Sequence, residues 1–271
     1  MKETLKQTMP SGLIRATRET YDAFRRLPEA ISATFHPWRR DSVRRLAALR
    51  NRHAGQRCFL IGNGPSLKQT DMSLLKNEIT IGLNRIFLAF PEFGFQTTYL
   101  VSINDLVIEQ SLAELQALQM PRFFAWRARR WLHPAPDLYF LHTSYTGPTF
   151  QRDARKRIWE GATVTNVALQ LAFYMGFQQV ILIGVDHNFQ TKGKPNTTVV
   201  SQGDDPNHFS PGYFGSGFRW QLPDLETSER GYAMARRAYE AAGRQVLDAT
   251  VGGKLTIFPK VDYLSLFQGR A

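Results

Sequence analysis

The stretch Arg57-Cys58-Phe59-Leu60-Ile61-Gly62-Asn63-Gly64-Pro65-Ser66-Leu67 constrains this chain more than any other. Four apolar residues in a row read as a short buried strand, and they run straight into a turn bounded by two glycines. Without a Cβ, Gly62 and Gly64 allow backbone N–H groups to approach a phosphate or nucleotide closely. Asn63 adds an amide that both donates and accepts, Pro65 stiffens the exit, and Ser66 follows with a hydroxyl. Turn chemistry alone accounts for each residue taken singly. The position after a strand and ahead of an alternating strand–helix pattern favours a ligand site.

The pattern that follows is α/β. Strands are expected at Cys58–Ile61, Ile79–Leu83, Tyr99–Ile103, Arg122–Ala125, Leu138–Leu141 and Val180–Ile183, each rich in apolar or β-branched residues. Helices are expected from Asp105, as a cap, to about Leu118, from Thr165 to Tyr174 with Gly176 as C-terminal cap, and from about Asp224 to Ala242. Gln245–Asp248 and Leu255–Phe258 complete the domain. Strands alternating with helices predict a Rossmann-like, open, mostly parallel sheet. In such sheets ligands sit beyond the carboxyl ends of the strands, which gathers Gly62, Asn84, Asn104 and Asp186 on one edge. Residues 190–223 break the pattern. They are polar and rich in glycine and proline, as in a lid or binding loop.

Composition sets the outer bounds. A chain of 271 residues, 43% hydrophobic, can bury a substantial core as one main domain with an appendage. No apolar run reaches the roughly 20 residues of a bilayer span, and no secretory leader is expected, so a cytoplasmic site is the default. The single cysteine, Cys58, lies in an apolar strand and reads as a packed thiol. Much of the net charge of +11 falls in the first 52 residues, where arginines alternate with Leu13, Ile14, Tyr21, Phe24 and Leu27 at roughly helical spacing. Residues 1–55 therefore read as a basic amphipathic helical extension, broken near Phe35-His36-Pro37, ahead of a catalytic domain at 56–271. The extension suits packing on its own domain or on a second subunit, as in a homo-oligomer, or peripheral contact with anionic membrane through residues 1–52. Zinc-ligand spacing, aromatic RNA-binding signatures and a helix-turn-helix pattern are missing, which argues against nucleic acid as a partner.

Gly62-Asn63-Gly64-Pro65-Ser66-Leu67 resembles the signature that opens the catalytic domain of a group of bacterial sialyltransferases. It is also similar to the start of the motility accessory factors, which attach sialic-acid-like sugars to flagellin, and of the MptE-like 6-hydroxymethylpterin diphosphokinases. The resemblance implies a transferase for which a CMP-sugar is the donor substrate and a glycan or protein hydroxyl the acceptor. Asn84 and Asn104 match asparagines that contact the cytidine nucleotide in the sialyltransferases, though either one alone also suits an Asx turn. Thr163 and Thr165, opening a helix, match a Thr-Ser-Gly run loosely. They suit a ribose or phosphate nest, or plain hydroxyl capping. Asp186, in Gly184-Val185-Asp186, matches a Gly-Ile-Asp or Gly-Val-Asp run and could accept from a ribose hydroxyl or cap a turn. His208 matches the histidine that acts as general base, a role an imidazole suits near neutral pH. Tyr213, Arg219, Lys192 and Lys194 share its loop and could neutralise phosphate.

The sequence departs from the sialyltransferases after Asp186, where His187, Asn188 and Phe189 stand in place of tyrosines that stabilise the leaving phosphate. No Asp-X-Asp triplet occurs, so no metal ligands are assigned, which favours a monophosphate-releasing donor over a diphosphate one. Two alternatives remain open. One is an ATP- and magnesium-dependent pterin diphosphokinase, which would need magnesium ligands from Asp71, Asp105, Asp186, Asp204 or Asp205. The other is a nucleotide- or glycan-binding accessory protein without catalysis.

Overall fold

A computed structural model describes residues 26–190 and 193–268. Leu13, Ile14, Tyr21, Phe24 and Lys192 therefore lie outside the described residues. The helical segment 26–35 (α1) stops at His36, whose side chain caps Pro37–Ala47 (α2) by accepting from the Trp38 N–H. Pro37 at the first helical position enforces the break expected there.

The chain then lays down Arg57–Ile61 (β1), Thr80–Leu83 (β2), a single turn at Phe90–Phe93 (α3) and Tyr99–Ser102 (β3). Asp105–Gln110 (α4) and Leu112–Ala117 (α5) precede Arg122–Ala125 (β4) and Leu138–Leu141 (β5). Two short strands, Thr143–Ser144 (β6) and Ile158–Trp159 (β7), lead to Val164–Met175 (α6) and Gln179–Ile183 (β8). Thr198–Val200 (β9), Arg219–Gln221 (β10), Leu225–Glu240 (α7) and Gln245–Asp248 (β11) close the list.

The main sheet has seven strands in the order β11-β8-β1-β2-β3-β4-β5, all parallel. Its strands are apolar almost throughout because both faces are covered. Alternate residues serve the two sides. Cys58 and Leu60 of β1 join Val180 and Leu182 of β8 in the layer under α6 and α7, while Phe59, Ile61, Ile181 and Ile183 enter the opposite layer. Cys58 is fully buried, and burial pushes its thiol pKa well up, which fits an inert packed side chain. The expected Rossmann-like α/β fold is the one observed.

Several local expectations are corrected. The helix expected to run from Asp105 to Leu118 is two helices separated at Ser111, and its cap is Asn104 rather than Asp105. Leu255–Phe258 forms no strand, and the lid segment contains the antiparallel β9–β10 hairpin. The described part of the extension packs on the domain, one of the placements expected for it. Leu46 and Leu49 sit in the main core, Ser42 Oγ accepts from the Phe140 N–H, and Arg45 donates to the carbonyls of Pro136 and Leu138. Helix α2 thus covers the exposed side of the edge strand β5, which would otherwise present unpaired backbone groups.

Candidate functional site

The chain leaves β1 towards β5 on one side of the sheet and later returns on the other side through β8 and β11. The point between β1 and β8 is where an open parallel sheet forms its crevice. A cavity of about 580 Å³ lies there, large enough for a nucleotide. Gly62, Asn63, Gly64, Asn84, Asn104, Thr163, Thr165, Asp186 and His208 all line it. Pro65 and Ser66 do not; they begin a short 3-10 helix behind the turn.

The glycine turn is built differently from the sequence expectation. The Gly62 and Gly64 N–H groups donate to the carbonyls of Ile183 and Gly184, both at 2.8 Å. The Ser66 N–H and hydroxyl donate to the two oxygens of Asp186, at 3.0 and 2.7 Å. Three of the turn's four backbone donors are therefore spent on the end of β8 and the loop after it rather than left for a phosphate. A Cβ on Gly64 would fall 1.7 Å from Asp186 Oδ2, and one on Gly62 would fall 2.2 Å from the Gly184 carbonyl oxygen. The glycines are needed because two sheet-edge loops interlock here. Burial pushes the Asp186 carboxyl pKa up, and the Ser66 hydrogen bonds oppose that rise.

The two asparagines hold their oxygens inward. Asn84, at φ +47°, accepts from the Ser102 hydroxyl at 3.2 Å, and Asn104 Oδ1 caps α4 by accepting from Leu106 and Val107. What each offers the cavity is its amide NH2, a donor. Opposite them, Thr163 caps α6 by accepting from the Thr165 N–H and shares a 3.4 Å hydroxyl contact with Tyr232. Burial raises the Tyr232 pKa, so its phenol stays a neutral donor near pH 7.

His208 is held on three sides. Its Nδ1 lies 2.7 Å from Asp205 Oδ2, its ring stacks on Tyr213 with centroids 4.0 Å apart, and the Phe214 ring meets it edge-on. The Asp205 side chain is only 4% exposed and also accepts from the Asn207 N–H. An ionised carboxylate accepts only, so Nδ1 carries the proton and Nε2 is left as the basic nitrogen. The lid bearing this pair is fastened by the Phe209 N–H to the Asn63 carbonyl at 2.8 Å, by Arg85 to the Tyr213 carbonyl, and by Arg219 to Glu109 at 2.9 Å. Lys194 is exposed and does not line the cavity. His187 is turned to Glu229 of α7 at 2.8 Å.

No spacing in the sequence announces the ion cluster at one wall of the cavity. Arg127, in a 3-10 helix after β4, bonds Asp105, Glu160, the Thr143 hydroxyl and the Ile103 carbonyl. Burial would lower its pKa, but Glu160, Tyr145 and Asp105 together hold it above the usual arginine range. Glu160 lines the cavity yet is neutralised by Arg127, so it is no free base. Tyr145 and Tyr232 also reach the cavity, from elements far in sequence from Asp186. Among the described residues no three His, Cys, Asp or Glu side chains converge as a metal site.

Fold and cleft together define a Rossmann-like α/β protein whose polar side chains meet at the topological switch point. The chain belongs to the MptE-like family: the family model described as 6-hydroxymethylpterin diphosphokinase MptE-like matches residues 37–192. No curated protein matches it in sequence. Among solved structures it is similar to the MAf glycosyltransferase from Magnetospirillum magneticum AMB-1, with 14% identity and a TM-score of 0.45. That likeness covers 83% of this chain and 38% of the other, so this chain spans well under half of its neighbour's length.

Proposed function

We propose that the protein is a glycosyltransferase that moves a sialic-acid-like sugar from a CMP-activated donor to a glycan or protein hydroxyl, without a metal. One observation carries this reading: His208, held by Asp205, and the amides of Asn84 and Asn104 line a single cleft. Asn84 and Asn104 would donate to the nucleotide. The phosphate would lie at the N-terminus of α6, near Thr163 and the Tyr232 hydroxyl, where helix N–H groups and dipole favour an anion. His208 Nε2 would take the proton from the acceptor hydroxyl as its oxygen bonds to the anomeric carbon. The bond from that carbon to the phosphate oxygen would break, its electron pair leaving with CMP. Tyr232 would take the part for which no tyrosine follows Asp186.

The family description favours a second reading, an ATP- and magnesium-dependent 6-hydroxymethylpterin diphosphokinase. Against it, four of the five carboxylates considered as magnesium ligands are engaged apart from one another. Asp71 caps a 3-10 turn, Asp105 binds Arg127, Asp186 binds Ser66 and Asp205 binds His208. A thermal-shift panel of CMP, CDP, UDP, ATP with magnesium, and a pterin separates the two. Stabilisation by CMP in the presence of a chelator supports the sugar transferase, and stabilisation by ATP only with magnesium, with none by CMP, refutes it.

A further inference from the structure

Helix α1 packs the wrong way round for a soluble surface helix. Its inner face is small and polar: Glu29 forms a two-pronged ion pair with Arg129, Ser32 Oγ accepts from the Trp126 indole N–H, and Ala33 is buried. Its large apolar residues, Leu27, Ile31 and Phe35, recur every four positions and are 48, 51 and 69% exposed. Four-residue spacing aligns them as one stripe, with Ile31 and Phe35 outward and Leu27 at the rim of a cavity shared with Trp126, Arg127 and His142. Surface helices of globular proteins bury such a stripe. We infer that this stripe is a seat for an anionic lipid surface.

Two features favour that occupant over a second copy of the chain. The three side chains expose on the order of 300 Å², well short of the ~800 Å² per partner of a stable dimer. Two exposed arginines lie close to the helix in the chain or through its partner. Arg40 lies one turn past His36, and Arg130 follows the Arg129 that holds Glu29; neither has an acidic partner among the described residues. A short apolar stripe on a chain of net charge +11, with exposed arginines that form no ion pair among the described residues, matches the requirements of an anionic membrane interface. This inference stands apart from the proposed chemistry.

The test is co-sedimentation of the full chain with phosphatidylcholine vesicles, with and without phosphatidylserine, at about 0.1 M and about 1 M salt. The expected result is a partition at least ~10-fold higher onto the anionic vesicles, lost at high salt. The triple substitution Leu27→Gln, Ile31→Gln, Phe35→Ser should lower it ~10-fold or more while the melting temperature holds. Arg40→Gln with Arg130→Gln should erase the preference for anionic lipid. Equal binding by wild type and the triple variant would overturn the inference, as would equal binding to both vesicle types. So would a concentration-dependent dimer abolished by the triple variant, or a triple variant that no longer folds, because either result would mean protein already covers the stripe.

Discussion

Replacing Gly64 by alanine isolates what the glycine turn is for. The backbone there is at φ −70°, a conformation alanine adopts freely, so any cost comes from contact alone. The new Cβ would meet Asp186 Oδ2 at 1.7 Å, its Cγ at 2.4 Å and the Gly184 carbonyl oxygen at 2.9 Å. The carboxylate must swing away, giving up both hydrogen bonds from Ser66. Overpacking of this kind costs about 1–3 kcal/mol, and lost bonds to a carboxylate add to it, so a total of about 2–4 kcal/mol is expected. For a chain of this size that is a fall of roughly 5–15 °C in melting temperature. Urea denaturation of Gly64→Ala beside Gly212→Ala, whose Cβ would meet only Ser210 Oγ at 3.9 Å, supplies the contrast. The control should stay within about 0.5 kcal/mol of wild type. Pairing Gly64→Ala with Asp186→Ala should give a strongly non-additive cycle, since the two closest contacts disappear with the carboxylate and only the 2.9 Å approach to the Gly184 oxygen remains. A Gly64→Ala protein of unchanged stability that has lost nucleotide affinity would refute the reasoning, because the glycine would then serve ligand approach.

Other outcomes follow from the same geometry. His208→Ala should lower turnover by about 100- to 10,000-fold with nucleotide affinity nearly unchanged, measured by steady-state kinetics and calorimetry once a substrate pair is in hand. Asp205→Ala should lower turnover through the same imidazole, and two-dimensional ¹⁵N spectra of the histidines should show the His208 proton leaving Nδ1. Glu160→Ala would leave the buried Arg127 guanidinium with Asp105 as its remaining carboxylate partner and should cost about 1–3 kcal/mol in urea denaturation. Burial, with repulsion from Arg39 and Arg157, pushes the His142 pKa down to about 4. The unfolded chain therefore binds that proton first, so the contribution is intact above pH ~6.5 and is lost as pH falls towards 4. Lowering the pH from about 7 to about 5 should cost about 1–2 kcal/mol of stability, and His142→Gln should remove that component of the loss.

Much of the fold was legible because strand residues buried on both faces announce themselves. Cys58–Ile61, Phe123–Ala125 and Leu138–Leu141 form unbroken apolar segments, and the caps Thr163, Gly176 and Asp224 mark their helices through local chemistry. Gly62, Asn84, Asn104 and Asp186 are legible from position alone, since strand ends in a parallel sheet share one edge, whereas His208 follows only from the resemblance. What stayed hidden depended on distant partners. Asp205 reads in the sequence only as a candidate magnesium ligand, and its place under His208 depends on how the loop folds. Arg127 lies 22 residues from Asp105 and 33 from Glu160, with no spacing rule to join them. The interlock of Gly64 with Asp186 spans 120 residues between Ser66 and that carboxylate. The turn glycines were identified correctly as special, but the neighbour that demands them is protein.

A crystal structure of the full chain grown with CMP and a chelator tests the central claim most directly. The account predicts CMP in the cleft between β1 and β8, its base or ribose within hydrogen-bond distance of the Asn84 and Asn104 amides. Its phosphate should lie at the N-terminus of α6, and His208 Nε2 should face the space where the sugar would stand. An empty cleft at saturating CMP, or CMP bound with its phosphate away from α6 and out of reach of His208, would contradict it.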